Sequence, residues 1–214
     1  VQLFKTEQTL NPNDPALMSQ LQRFIFAEVF YIGKLTDKQR ELITCTILTV
    51  LQTLPQLKAH VNAALNVEVS PLELKEAIYQ CAPFIGYPKT LNAISVVNEV
   101  FNQRNITLPL ENQCDFADDQ RYEQGLKIQK ELYGDEIKER YQYLPEEIAN
   151  ALPKFLTEWC FGDCYSRKAM DIKTRELLIF CVLTALNATG QLYSHALGNL
   201  KVGNSLDILY AALI

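Results

Sequence analysis

Histidine is nearly absent from this chain. Among 214 residues there are two, His60 and His195, so any imidazole chemistry must run through one or both of them. Cysteine is better supplied, at six, but no two form Cys-x-x-Cys. That gap removes the commonest dithiol redox centre, and a chain of this size needs no disulfide staples. Cys45, Cys81, Cys114, Cys160, Cys164 and Cys181 are therefore expected as core thiols, with no metal site and no cofactor among the expectations. Long apolar runs are missing as well. None reaches the ~18 residues that span a bilayer, and no basic-then-apolar leader precedes Val1, so a cytoplasmic protein with no membrane partner is expected. Positive charge is short too, with 20 Lys and Arg against 25 Asp and Glu and a net charge of −5. Clustered cations are needed to displace counterions from a phosphate backbone, so nucleic acid is not an expected partner. What the chain has in quantity is hydrophobic side chains, at 48%, enough for one or two domains with real cores.

The two histidines share a context. His60 follows Arg40-Glu41-Leu42, and His195 follows Arg175-Glu176-Leu177 at the same nineteen-residue interval from the glutamate. At an offset of 135 residues, Lys38, Leu48, Thr49, Gln56 and Leu57 meet identical residues at Lys173, Leu183, Thr184, Gln191 and Leu192. Leu65, Val67, Ser70, Leu74 and Ala77 do the same at Leu200, Val202, Ser205, Leu209 and Ala212, without a gap. A repeat this long reads as a domain copied in tandem rather than one turn of a solenoid. The first copy is expected over 1–105, a linker over 106–118 and the second copy over 119–214. The second copy stops before any counterpart of Pro83-Phe84-Ile85-Gly86-Tyr87-Pro88.

Periodicity predicts helices throughout and almost no strand. After a tail over Val1 to Leu10, Asn13-Asp14 is expected to cap a helix that turns Leu17, Leu21, Phe24, Ile25 and Val29 inward and ends near Gly33. Thr36-Asp37-Lys38-Gln39 and Ser70-Pro71-Leu72-Glu73 are capping boxes opening two further helices, with a short helix from Pro55 to Leu65 between them. Pro83, Gly86 and Pro88 force a bend before a helix through Val100. Asn102 to Asp119 reads as a surface connector. An extra helix follows from Asp119 to Leu132, stopped by Gly134; the later helices pass through Ile148, Phe155 and Trp159, then Asp171 to Leu186, then His195, with a cap at Asn204-Ser205.

Gln56 and His60 lie four apart on one helix face, and a tight turn makes the helix bearing Glu41 their neighbour. Carboxylate, imidazole and amide among apolar residues are the makings of a proton-transfer site. Geometry sets a condition: Glu41 is roughly 18 Å up its helix from Thr53 at ~1.5 Å per residue, so the pair meets only if the helices cross obliquely. A purely structural role is the competing reading, with Glu41 on a partner helix terminus and His60 on a buried carbonyl. Arg40 and Arg175 could hold an acidic substrate. Because they point away from their neighbouring glutamates, they are expected as solvated surface residues.

The stretches Leu35-Thr36-Asp37-Lys38-Gln39-Arg40-Glu41-Leu42-Ile43, Gln56-Leu57-Lys58-Ala59-His60-Val61-Asn62-Ala63-Ala64, Ser70-Pro71-Leu72-Glu73-Leu74-Lys75-Glu76-Ala77 and Ile85-Gly86-Tyr87-Pro88-Lys89-Thr90-Leu91-Asn92-Ala93 resemble the carboxymuconolactone decarboxylase family. The resemblance implies an all-α fold of two tandem alkylhydroperoxidase D-like helical domains. It also implies rings of six such domains, hence a homotrimer of two-domain chains. Decarboxylase members remove carbon dioxide from a small carboxylated lactone without a cofactor. The alkylhydroperoxidase branch instead carries two thiols before the histidine; the matching positions here are Thr53 and Gln56, and Ala188 and Gln191, so that route has no sulfur.

The leading expectation is a cofactor-free lyase with Glu41, His60, Glu176 and His195 as acid–base groups, and Gln56 and Gln191 orienting the small-molecule substrate. Lactone-branch members carry an acidic residue where Gln56 and Gln191 stand, so the amides are expected to orient rather than to transfer protons. A thiol-dependent, peroxiredoxin-like antioxidant and a non-catalytic binding or assembly protein are the alternatives.

Overall fold

The helices begin where the side chains can cap them. In the computed structural model, which describes residues 13–134, 137 and 139–214, Thr36 Oγ1 accepts from Gln39 N while Gln39 Oε1 accepts from Thr36 N. Ser70 and Glu73 make the same reciprocal pair. Each box satisfies two of the four N–H groups that a helix start leaves without partners.

Eleven α-helices follow in chain order among the described residues, with no strand. They are α1 (Pro15–Leu21), α2 (Asp37–Val50), α3 (Leu54–Asn66), α4 (Pro71–Tyr79), α5 (Ala82–Ile85) and α6 (Tyr87–Gln103), then α7 (Arg121–Tyr133), α8 (Glu146–Phe155), α9 (Ile172–Ala185), α10 (Thr189–Lys201) and α11 (Leu206–Leu213). No described helix is long and apolar enough to cross a membrane. The bounds of α9 and α10 equal those of α2 and α3 displaced by 135 residues. One long-range bond repeats at the same offset: Arg40 Nη2 donates to the Ile32 carbonyl at 2.8 Å, and Arg175 Nη2 to the Arg167 carbonyl at 3.0 Å. The expected tail over 1–10 lies outside the described residues.

Two helices widen into π geometry. α1 runs into a π-helical stretch at Gln22–Glu28, and α8 into another at Leu156–Tyr165. Thr157 Oγ1 takes the Pro153 carbonyl at 2.9 Å, a side-chain substitute for a backbone donor at that joint. The first of these helices departs from expectation. Asp14 sits at the N-cap but makes no side-chain cap bond, and Leu17, Leu21, Phe24 and Ile25 are exposed rather than inward, because no described element lies over that face.

Helices α2 and α9 pack against each other, and one core crosses between the halves. It joins Leu42, Leu57, Leu74 and Phe101 to Leu177, Phe180 and Leu209. A second core forms where α7 lies on the Leu156–Tyr165 stretch, around Leu132, Phe161, Tyr165 and Ile179. That approach is close because both contact points are glycine. A Cβ on Gly125 would run into the Thr157 carbonyl and come within 2.7 Å of Gly162 N, so a larger residue would push the helices apart.

Three expectations change. Arg175 is fully buried, not solvated: α4 of the first half lies against it, and Glu76 Oε2 accepts from Arg175 Nη2 at 2.9 Å while Arg167 Nε holds Glu76 Oε1 at 2.8 Å. Arg40 is half-buried, on the Ile32 carbonyl and 4.9 Å over the Phe30 ring centre. The connector is not simply a surface loop, since Ile106, Leu108 and Leu110 tuck against the main core and Gln113 is buried. Of the cysteines, all but the half-buried Cys114 are buried. Burial pushes the Cys164 and Cys181 thiols up to about 12, which leaves them protonated and poor nucleophiles at neutral pH.

Candidate active site: two glutamate–histidine pairs

A three-residue turn at Leu51–Thr53, with Gln52 in the left-handed region at φ 58°, folds α3 back along α2. Glu41 then stands nine residues before the end of α2 and His60 six residues into α3. At ~1.5 Å per residue their levels differ by only about 4.5 Å, which two extended side chains span. No oblique crossing is needed, because the useful distance is measured between levels on the hairpin rather than along one helix. His60 Nδ1 lies 2.9 Å from Glu41 Oε2. The carboxylate side chain is 4% exposed and the imidazole 25%, so the acid is inside and the ring reaches the surface. Cys45 sits one turn beyond Glu41; burial first, and then the charge of Glu41, push its thiol well up.

The second pair repeats this contact, with His195 Nδ1 3.1 Å from Glu176 Oε2. Its surroundings differ. Tyr133, from the end of α7, donates to Glu176 Oε2 at 2.6 Å and stands 2.8 Å from His195 Nδ1. Tyr165 donates to Glu176 Oε1 at 2.5 Å. Burial first, and then the neighbouring Glu176 charge, hold both phenols far above their usual range, so they act as donors. Asn199 Nδ2 ties the two helices by donating to the Glu176 and His195 carbonyls. The Glu176 side chain is fully buried, and Phe84 of the first half stands edge-on to His195 at 6.4 Å. Gly198 makes room for the tyrosine: a Cβ there would lie 2.7 Å from Glu176 Oε2 and 2.8 Å from the Tyr133 hydroxyl, and the first half has Ala63 at that offset.

Each Glu is thus brought to its His, while Gln56 and Gln191 sit on the exposed side of α3 and α10 and bond to neither member of their pair. Tyr133, Tyr165 and Asn199 were not singled out from sequence. Tyr165 falls on Phe30 at the 135-residue offset, and Asn199 on Ala64, so a search for shared residues passes over both. Among the described residues no group of three or more His, Cys, Asp or Glu stands together as a metal-binding set.

The model of the carboxymuconolactone decarboxylase family matches residues 15–99, the stretch that carries Glu41 and His60. The 4-carboxymuconolactone decarboxylase of Acinetobacter baylyi is 30% identical over 99 residues, 46% of this chain and 74% of that protein. The chain belongs to the carboxymuconolactone decarboxylase family. A second relative, the nitrosuccinic acid decarboxylase of Metarhizium robertsii, is 28% identical over 99 residues, 43% of this chain and 65% of that protein. Both relatives are named as decarboxylases, and the all-helical architecture agrees with the family. Glu176 and His195 lie outside the residues that the carboxymuconolactone decarboxylase model matches.

Proposed function

We propose that this chain is a cofactor-free decarboxylase acting on a small carboxylated, lactone-like metabolite, with Glu41 and His60 as the reacting pair. The observation that carries the reading is the buried Glu41 carboxylate held 2.9 Å from the Nδ1 of a surface-reaching imidazole. With the carboxylate accepting, Nδ1 keeps its proton and Nε2 is the nitrogen that exchanges one with substrate. Loss of carbon dioxide breaks a C–C bond and leaves its electron pair on the adjacent carbon, conjugated to the lactone carbonyl. His60, carrying a second proton, delivers it to that carbon, and Glu41 offsets the ring's positive charge while it does so. Gln56, one turn earlier on the exposed face, is placed to orient the substrate.

The same arrangement at Glu176 and His195 makes them the second acid–base pair, with Gln191 in the place of Gln56. There Glu176 accepts from Tyr133, Tyr165 and the imidazole at once, which leaves little of the carboxylate for a reacting group. The second pair is the slower or silent one. The 135-residue recurrence supports two tandem copies of one alkylhydroperoxidase D-like domain. The exposed Leu17, Leu21 and Phe24 face supports burial between chains in a homotrimer, which sedimentation would detect as a mass three times 24.4 kDa.

The test is carbon dioxide release from carboxymuconolactone-type substrates. His60→Gln is expected to lower kcat by ~10²–10⁴-fold, the usual contribution of a general acid–base group, and His195→Gln by less than about tenfold. Unchanged turnover in His60→Gln would sink the assignment.

A further inference from the structure

Among the described residues, five charged side chains are buried: Glu41, Lys75, Glu76, Arg175 and Glu176. Four of them face an opposite or cationisable partner, Glu41 and Glu176 a histidine and Glu76 two arginines. Lys75 is the exception. Its ammonium donates to Asn98 Oδ1 and lies 5.9 Å and 5.8 Å from the ring centres of Tyr79 and Phe101, with no carboxylate in ion-pairing distance among the described residues. A buried cation satisfied only by an amide and two rings gives up hydration for weak compensation.

Lys75 lines a cavity of about 470 Å³ between α4, α6 and the connector, and neither Glu–His pair contributes to its walls. That volume is in the range of small-molecule sites, ~300–1,000 Å³. Arg167 enters the same cavity. Its Nε is committed to Glu76 and its guanidinium lies 5.5 Å over the Tyr79 ring, but its terminal nitrogens bond to nothing among the described residues. Of the two lining carboxylates, Glu76 is already held by Arg167 and by the fully buried Arg175 behind the wall, and Glu111 stands at the exposed rim, so neither pairs with the Lys75 ammonium. Facing the cations are Leu72, Leu108 and Leu110, an apolar wall that a bare inorganic anion would not use.

We propose that this cavity binds a small organic carboxylate, its carboxylate between Lys75 Nζ and the terminal nitrogens of Arg167 and its apolar body against Leu108 and Leu110. Charge selects the head group and the leucines select the body. The site is separate from the Glu–His pairs and does not depend on what they catalyse.

Calorimetric titration of the full chain tests it with three ligands: cyclohexanecarboxylate, inorganic phosphate and the neutral cyclohexylmethanol. Saturable binding of the carboxylate is expected, at least tenfold tighter than the other two. Lys75→Met should weaken it at least tenfold. Leu110→Trp, which fills the cavity without touching a charge, should weaken it as much, and His60→Gln should leave it unchanged. No saturation in the wild-type chain would overturn the proposal, as would equal binding of phosphate or the alcohol. Loss of binding in His60→Gln, or full affinity in a folded Lys75→Met or Leu110→Trp chain, would overturn it too.

Discussion

Glu76→Gln isolates the contact that ties the two halves together. Glu76 is 1% exposed and accepts from Arg167 Nε with both oxygens, at 2.8 and 3.0 Å, and from Arg175 Nη2 at 2.9 Å. Glutamine keeps the volume and one acceptor oxygen but removes the charge. Arg175 is then a fully buried cation whose Nε and Nη1 already bond to no described group, held only by the Arg167 carbonyl. Breaking a buried pair from one side costs about 3–5 kcal/mol. At ~2–4 °C per kcal/mol for a chain of this size, the Tm should fall by roughly 6–20 °C. Urea unfolding followed by circular dichroism gives the free energy directly. Arg40→Met, at the position 135 residues earlier, is the internal comparison: Arg40 is half-buried on a carbonyl and a ring, and its loss should cost less than about 1–2 kcal/mol. In the double variant Glu76→Gln/Arg175→Met the cost should be well below the sum of the two singles, since the orphaned cation is gone. A Glu76→Gln loss under 1 kcal/mol, or strict additivity in the cycle, would refute the claim that this network holds the halves in register.

Tyr133→Phe removes a hydroxyl that donates to the buried Glu176, and should cost about 1.5–3 kcal/mol of stability while leaving His60-dependent turnover within twofold; a tenfold fall in turnover would count against the first pair as the working one. Gln80 is 1% exposed with both side-chain amide atoms bonded to no described group, so the volume-conserving Gln80→Met should raise stability by ~1–3 kcal/mol in urea titrations, and a loss would show that the amide is satisfied in solution. Burial lowers the Lys75 amine below its ordinary value, with Tyr79, Glu76, Arg167 and the rim carboxylate Glu111 as the titratable groups around it. A lowered folded value means that the unfolded chain holds the extra proton, so stability rises with pH between the folded value and the free-lysine value near ~10.4. Wild type should therefore gain on Lys75→Met as pH climbs from 7 to 10, and a constant difference across that range would contradict the burial of the amine.

Much of the fold was legible before any coordinates, because helix starts and periods are set by residues within a turn or two of one another. Thr36 with Gln39 and Ser70 with Glu73 cap what they were expected to cap, and the helices around Glu41, His60, Glu176 and His195 fall where the apolar spacing puts them. The nineteen-residue Glu–His interval was visible in the same way, since a helical hairpin converts a fixed count into a fixed meeting point. Other features depend on partners far apart in sequence, for which no local pattern exists. Glu76 meets Arg175 across 99 positions, and Tyr133 meets His195 across 62. Only the reach of Glu76 from α4 to Arg167 and Arg175 gives the buried Arg175 its counter-ion, and only the close seat of α7 on the π-helical stretch, through Gly125 and Gly162, brings a phenol into the second pair and makes it unlike the first.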